Sequence, residues 1–221
     1  MTKPRLPQSI LLVGASSDIG NSIVEALSIN LRELTLIGRN PILTKSYLES
    51  GINCNFIACD FEDEKSVQEC LSYLQDFEGN FDLCIFASGM LPSENNELAI
   101  ENTLSSLTIN GEVNARFFLL LISKYLNKSD FKIVVLSSMA AVRPRLRNFA
   151  YGASKNYFDF LATGAAYKYK NSNIKIKVLR LGFVKTKMTV GFQPAPFAIN
   201  LKTFRKKFLP IYRALWPFKK I

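Results

Sequence analysis

The residues best suited to chemistry in this chain are Tyr151 and Lys155, four apart in Tyr151-Gly-Ala-Ser-Lys155, with Ser138 thirteen positions upstream. On a helix, residues four apart share a face. An ammonium beside a phenol favours the phenolate, and at ~4 Å with an effective dielectric of ~20 the attraction is about 4 kcal/mol. The pair is therefore expected to draw the phenol, ordinarily near pKa ~10, towards neutral pH, where it can give and take a proton. That is proton-transfer chemistry at an alcohol or ketone oxygen. Ser138 ends Lys132-Ile-Val-Val-Leu-Ser-Ser138, which reads as a buried parallel strand closing in hydroxyls. Carboxyl ends of parallel strands are where open α/β sheets bind ligands. Alone, Tyr-x-x-x-Lys is also the pattern of an ordinary amphipathic helix pair; the strand-end serine weighs against that.

A second group of residues suits a dinucleotide. Gly14-Ala-Ser16-Ser17-Asp18-Ile19-Gly20 follows the first apolar run and opens a helical stretch. Glycines there let the backbone approach a pyrophosphate, which the helix N-terminus attracts. Asp18 stands where a further glycine is expected; its carboxylate can cap the helix, but pointing inward it would repel a phosphate. The second strand ends in Gly38-Arg39, and an arginine at this point can hold a 2′-phosphate. This favours NADP(H) over NAD(H), unless Arg39 is simply a solvated loop residue. Cys59-Asp60-Phe61 ends the third strand, where Asp60 could accept from the adenine amine. Ala87-Ser88-Gly89 ends the fourth, small enough for a cofactor to lie against the sheet. Each of these is also compatible with a plain strand-end turn.

The elements that must position these residues alternate from end to end. Strands are expected at Ser9–Val13, Glu33–Ile37, Ile52–Cys59, Phe81–Phe86, Phe131–Ser137 and Ile174–Arg180. Helical stretches fall near 19–30, 40–50, 63–78, 97–127 and 149–171. Such alternation implies a doubly wound parallel sheet of the Rossmann type in three αβα layers. One domain is expected over 1–190, with a substrate lid from about 183, followed by a basic, aromatic segment over 191–221.

Composition narrows the classes. With 221 residues, 48% of them hydrophobic, the chain can bury a sizeable core. The absence of histidine and the spacing of Cys54, Cys59, Cys70 and Cys84 argue against a zinc site or a Ser-His-Asp triad. No apolar run is long enough to span a bilayer, and the N-terminal residues carry no secretory pattern. A reducing, cytoplasmic setting is expected. Charge is uneven: residues 1–159 hold 14 Lys/Arg against 18 Asp/Glu, whereas residues 160–221 hold 14 Lys/Arg and no acid. An anionic partner for that half is implied.

Taken together, Gly14–Gly20, Asp60, Ala87-Ser88-Gly89, Asn110, Ser138, Tyr151 to Lys155 and Gly182 to Thr186 resemble the short-chain dehydrogenase/reductases, in order and spacing, over most of the chain. The resemblance implies that Tyr151 is the acid/base and that Ser138 binds the substrate oxygen. It implies that Lys155 binds the nicotinamide ribose, Asn110 holds a water and Thr186 binds the carboxamide; Phe61 and Val184 join the cofactor contacts. Val13, Asp18 and Leu181 depart from the family pattern, and the usual last strand of seven cannot be found.

The substrate is addressed by weaker signals. Arg143, Arg145 and Arg147 flank the reaction centre and could receive a phosphate or carboxylate, or form a solvated loop. The stretch from Arg145 through Phe197, with Asn148-Phe149-Ala150-Tyr151-Gly152 and Gly182–Met188 followed by Pro194-Ala195-Pro196-Phe197, resembles one subgroup, the reductase that completes epimerisation of decaprenylphosphoryl-ribose to the arabinose form. That resemblance implies a keto-sugar on a polyprenyl phosphate. The tail from Lys202 to Ile221 has seven basic residues and Trp, Tyr and Phe suited to a headgroup zone. Because Pro210 and Pro217 interrupt it, a broken helix at the inner membrane face is expected, unless the tail packs on its own domain. The alternatives are reduction of a β-ketoacyl thioester on an acidic carrier protein, and a dinucleotide-binding scaffold without turnover. Nucleic acid is not expected as a partner. A homodimer through helices 97–127 and 149–171 is a family expectation.

Overall fold

Six apolar runs form six parallel strands in the computed structural model, which describes residues 6–40, 47, 49–92, 100–128, 130–144, 148–193 and 197–216. They are β1 (Ser9–Val13), β2 (Glu33–Gly38), β3 (Asn53–Ala58), β4 (Leu83–Phe86), β5 (Phe131–Ser138) and β6 (Ile174–Leu181), in the order β3-β2-β1-β4-β5-β6. The order reverses between β1 and β4, so the first and fourth strand ends flank a crevice suited to ligands. Both faces of the sheet are covered, which is why β1 can read Ser-Ile-Leu-Leu-Val without a polar alternation.

Period-two geometry divides those strands between two cores. Leu11, Val13, Phe86, Ile133 and Val135 face α2 (Glu64–Asp76), α4 (Val113–Tyr125) and α5 (Phe149–Lys168). Ile10, Leu12, Ile85, Val134 and Leu136 face α1 (Asp18–Leu27) and α6 (Leu201–Leu215). Between α2 and α4 lies α3 (Ile100–Leu107), joined to α4 by a π-helical turn at Thr108–Glu112. The result is the expected three-layer Rossmann-type fold, lacking a seventh strand among the described residues. β6 is left as an edge, and Lys175, Lys177 and Arg180 give it the charged side chains that discourage further pairing. The helix expected at 40–50 lies largely outside the described residues.

The C-terminal segment differs from expectation. α6 runs unbroken through Pro210. Its aromatics at positions 204, 208, 212 and 216 recur every four residues and so share one face. Phe204, Phe208, Tyr212 and Trp216 are all buried, each ring meeting the next at a tilt along the helix, and packed into the core beside α1. Pro210 is tolerated because it faces solvent, where water can satisfy the carbonyl its missing N–H would have bonded. The rings therefore do not serve a headgroup zone. Lys202, Arg205, Lys206 and Lys207 remain exposed on the opposite side. Among the described residues no helix is long and apolar enough to cross a membrane.

Candidate active site

The carboxyl ends of the parallel strands open into a cleft of about 630 Å³. Its phosphate end is built by the turn after β1. Gly14 takes φ +101°, and a Cβ there would lie 2.4 Å from the Ser88 nitrogen, so only glycine fits. Ser17, not Asp18, caps α1: its hydroxyl accepts from the Gly20 N–H at 3.2 Å. Gly20 does not line the cleft; a Cβ there would meet Ala87 Cβ and Leu12 Cδ1 at 2.8 Å, so it serves helix–sheet packing. Asp18 does line the cleft, but its carboxylate is engaged by Lys187.

The adenosine end combines Arg39, Asp60, Phe61 and Glu62 on the cleft wall. The Arg39 guanidinium lies 3.9 Å from the Glu62 carboxylate, both largely exposed, a pairing weak enough to exchange. Asp60 Oδ1 accepts from the Glu62 N–H at 3.1 Å and shapes the turn that presents both. Ala87, Ser88 and Gly89 form the wall opposite. Ser88 donates to Asn114 Oδ1 at 2.7 Å, and Asn114 Nδ2 donates to the Ile109 carbonyl at 2.7 Å. Asn114 thus ties the β4 end to the π-helical turn. Nothing in the sequence marked it, since its partner lies 26 positions away.

At the reaction end Ser138 closes β5 and accepts from the Ala140 N–H at 3.1 Å, fixing the turn that follows. Asn156 on α5 donates to the Ala141 carbonyl at 2.8 Å and docks the helix on that turn. This brings Tyr151 and Ser138 together on the lining of the cleft, with the phenol buried. Burial raises the phenol's pKa and the neighbouring Ser138 hydroxyl opposes that in part. The expected lowering by Lys155 is not seen. The reason lies in the ammonium itself, which burial disfavours: Lys155 is pushed down to about 8, with Asp159 the opposing charge that supports it. Among the described residues no acceptor takes a hydrogen bond from Lys155.

Asn110 is fully buried, and its side chain is committed elsewhere. Its Oδ1 accepts from the Met90 N–H at 2.7 Å, and its Nδ2 donates to the Met90 carbonyl and to Ser106 and Ser154 within 3.0 Å. It staples the segment after Gly89 to α3 and α5 and does not line the cleft, so the side chain is not free to take a water. Asp159, unmarked in the sequence, accepts from Ser137 at 2.5 Å and from Arg180 at 2.6 Å, locking β5, α5 and β6 behind the reaction end. Across the mouth, Gly182, Val184 and Thr186 line the cleft as expected. Val184–Lys185 forms a short strand, β7, paired with β8 (Ile199–Asn200), which runs straight into α6. Arg145, Arg147 and Pro194–Pro196 lie outside the described residues; Arg143 is exposed.

The residues present suit a nicotinamide dinucleotide. The cleft runs past the ends of β1, β2, β4 and β5, a Cβ at Gly182 would meet nothing within 4 Å, and Lys155 offers a buried cation without an acceptor among the described residues. A family model described as short chain dehydrogenase matches residues 8–195. An uncharacterised oxidoreductase of Staphylococcus epidermidis is 23% identical over 82% of this chain and 80% of its own length. Among solved structures, a short-chain dehydrogenase from Sphingobium yanoikuyae in complex with NADPH superposes with a TM-score of 0.82 at 18% identity. That match covers 94% of this chain and 85% of the other. The 3-oxoacyl-[acyl-carrier protein] reductase from Brucella melitensis in complex with NAD gives 0.75 at 18% identity, covering 95% and 91%. The chain belongs to the short-chain dehydrogenase/reductase family and is an NAD(P)-dependent oxidoreductase of that type.

Proposed function

We propose that the protein is a ketoreductase in which Tyr151 donates the proton to a substrate carbonyl oxygen, or takes it from the alcohol in reverse. The observation that carries this is that Ser138, Tyr151 and Lys155 meet on the lining of one cleft, with the buried Lys155 ammonium one helical turn from the phenol. A dinucleotide bound in the cleft supplies or accepts hydride. Ser138 orients the substrate oxygen beside the phenol, and the apolar surroundings that raise the phenol's pKa keep it protonated and ready to donate. Among the described residues Asp159 is the charge partner of Lys155 and no acceptor takes its hydrogen bonds, so its donors are available to ribose hydroxyls. Asn110 and Asn114 hold the opposite wall. Thr186 is placed on the lid side of the cleft, where a carboxamide would lie. Tyr151→Phe should lower turnover by about a hundredfold or more while cofactor affinity stays within a few-fold; full turnover in that variant would refute the assignment.

Arg39 favours NADP(H), since its guanidinium can leave Glu62 for a 2′-phosphate. Glu62 beside it offers an acceptor for a ribose hydroxyl, so NAD(H) is also admitted. For the substrate, a β-ketoacyl thioester on an acidic carrier is the better supported reading. The Brucella reductase shares the architecture, and the basic half of this chain would attract such a carrier. A polyprenyl-phosphate keto-sugar keeps only the exposed basic face of α6 and Arg143 in its favour, because the α6 aromatics are buried. Turnover of acyl thioesters in plain buffer would support the first reading; turnover of a lipid-linked sugar only with anionic vesicles would replace it with the second.

A further inference from the structure

Asp18 poses a problem for the reading just given. It sits in the first turn of α1 and lines the phosphate end of the cleft, where a carboxylate and a diphosphate would repel. The structure answers with Lys187, 169 positions later. The Lys187 N–H donates to Asp18 Oδ2 at 2.8 Å, and its ammonium lies 3.5 Å from Asp18 Oδ1. The same ammonium donates to the Ser16 carbonyl, on the glycine-rich turn itself. Lys187 is presented by a stiff turn: Thr189 Oγ1 accepts from the Thr186 N–H at 2.9 Å and donates at 3.0 Å to the Val184 and Thr186 carbonyls, one hydroxyl shared between them. Both side chains line the cleft, and Lys187 stays half-exposed at its mouth.

Resting on the dinucleotide reading of this cleft, we propose that Lys187 and Asp18 act as one unit that makes the turn competent for diphosphate. Lys187 cancels the carboxylate that replaces a glycine, contributes the cation that faces the diphosphate, and clasps residues 184–189 against α1. Removing Lys187 alone leaves an uncompensated negative charge beside the ligand's own. Removing Asp18 alone frees the ammonium entirely for the ligand. The two substitutions should therefore oppose each other rather than add.

Equilibrium binding of NADPH and of NADH, followed by the fluorescence of the reduced nicotinamide, tests this on the intact chain. Lys187→Met should weaken both cofactors by about tenfold or more, and to the same extent, because the diphosphate is common to them. Asp18→Asn should bind at least as tightly as the unaltered protein, and the double variant should return to within about threefold of it. The pair's dependence on salt should also fall in the double variant. Unchanged binding in Lys187→Met would overturn the proposal. So would a double variant as weak as Lys187→Met, which would make Lys187 a plain ligand indifferent to Asp18. If the unaltered protein binds neither cofactor, the dinucleotide reading fails and takes this inference with it. Both side chains are at the surface of the cleft, and thermal denaturation of each variant checks that the fold is kept.

Discussion

Replacing Lys155 by methionine should make the protein more stable and inactive, and the size of the gain follows from the site. Burial moves the ammonium from 10.5 to about 8, a difference of about 2.5 pH units, or about 3 kcal/mol against holding the charge inside. The sign is fixed by proton binding. Between about 8 and 10.5 the unfolded chain keeps the proton and the folded one has lost it, so stability rises with pH across that window. Below it both states are protonated, and the folded state carries the whole penalty. Methionine has a similar reach, no charge and no hydrogen-bonding demand, so it relieves that cost. Asp159 keeps Arg180 and Ser137 as partners and is not stranded.

Urea unfolding monitored at pH 7 and at pH 10 measures the difference. At pH 7 Lys155→Met should gain about 1–3 kcal/mol, the lower end allowing for lost attraction to Asp159 and imperfect packing. With a slope of about 2–3 kcal/mol per molar urea, the midpoint moves up by roughly 0.3–1.5 M. At pH 10 most of the gain should be gone. A variant less stable at pH 7, or a difference that does not change with pH, would refute the view that this cation is held at a cost. Function and stability would then not be opposed at this position.

Arg39→Ala should weaken NADPH by about tenfold or more, and NADH by less than about threefold; equal losses in titrations of both would remove the basis for the cofactor preference. Phe208→Ala should cost about 3–5 kcal/mol in denaturant unfolding, because the ring is buried between α6 and the sheet. Lys206→Glu on the exposed face should change stability by no more than about 0.5 kcal/mol, while Lys206→Glu with Lys207→Glu should abolish any binding to anionic vesicles seen in sedimentation. Phe160 and Tyr167 on α5 and Ile100 and Leu104 on α3 are all largely exposed. If these helices form a dimer, Phe160→Glu should shift the sedimentation coefficient to that of a monomer; an unchanged species would place any association elsewhere.

Local and near-local patterns were legible in the sequence. β1, β2, β5 and β6 show as apolar runs, and Ser138, Tyr151 and Lys155 are brought together by one strand end and one helix turn. What was not legible is pairing across the chain. Asp18 with Lys187, Ser88 with Asn114 and Asp159 with Arg180 each join elements whose proximity is decided by the crossovers. The phenol's behaviour was misjudged for a related reason: the two-charge argument omits burial, which acts on both groups and is set by tertiary packing. For the α6 aromatics the sequence admits both a headgroup anchor and packing on the domain, and the spacing already favours the second. Four rings at four-residue spacing describe one buried stripe, whereas a headgroup anchor needs them exposed.

That stripe changes how the end of the chain relates to the chemistry. A boundary at 190/191 falls between β7 and β8, which are hydrogen-bonded neighbours, and β8 continues directly into α6. α6 is fastened to α1 by its buried rings and by the Arg205–Glu25 ion pair. The N-terminal turn of α1 carries Asp18, which holds Lys187 just beyond β7. Residues 184–189 and α6 are thus tied to the same helix, the first through the Asp18–Lys187 contacts and the second through a hydrophobic seam. Among the described residues no seventh strand extends the sheet, and α6 joins the α1 seam directly to β8 and through it to β7 and the residues that line the cleft.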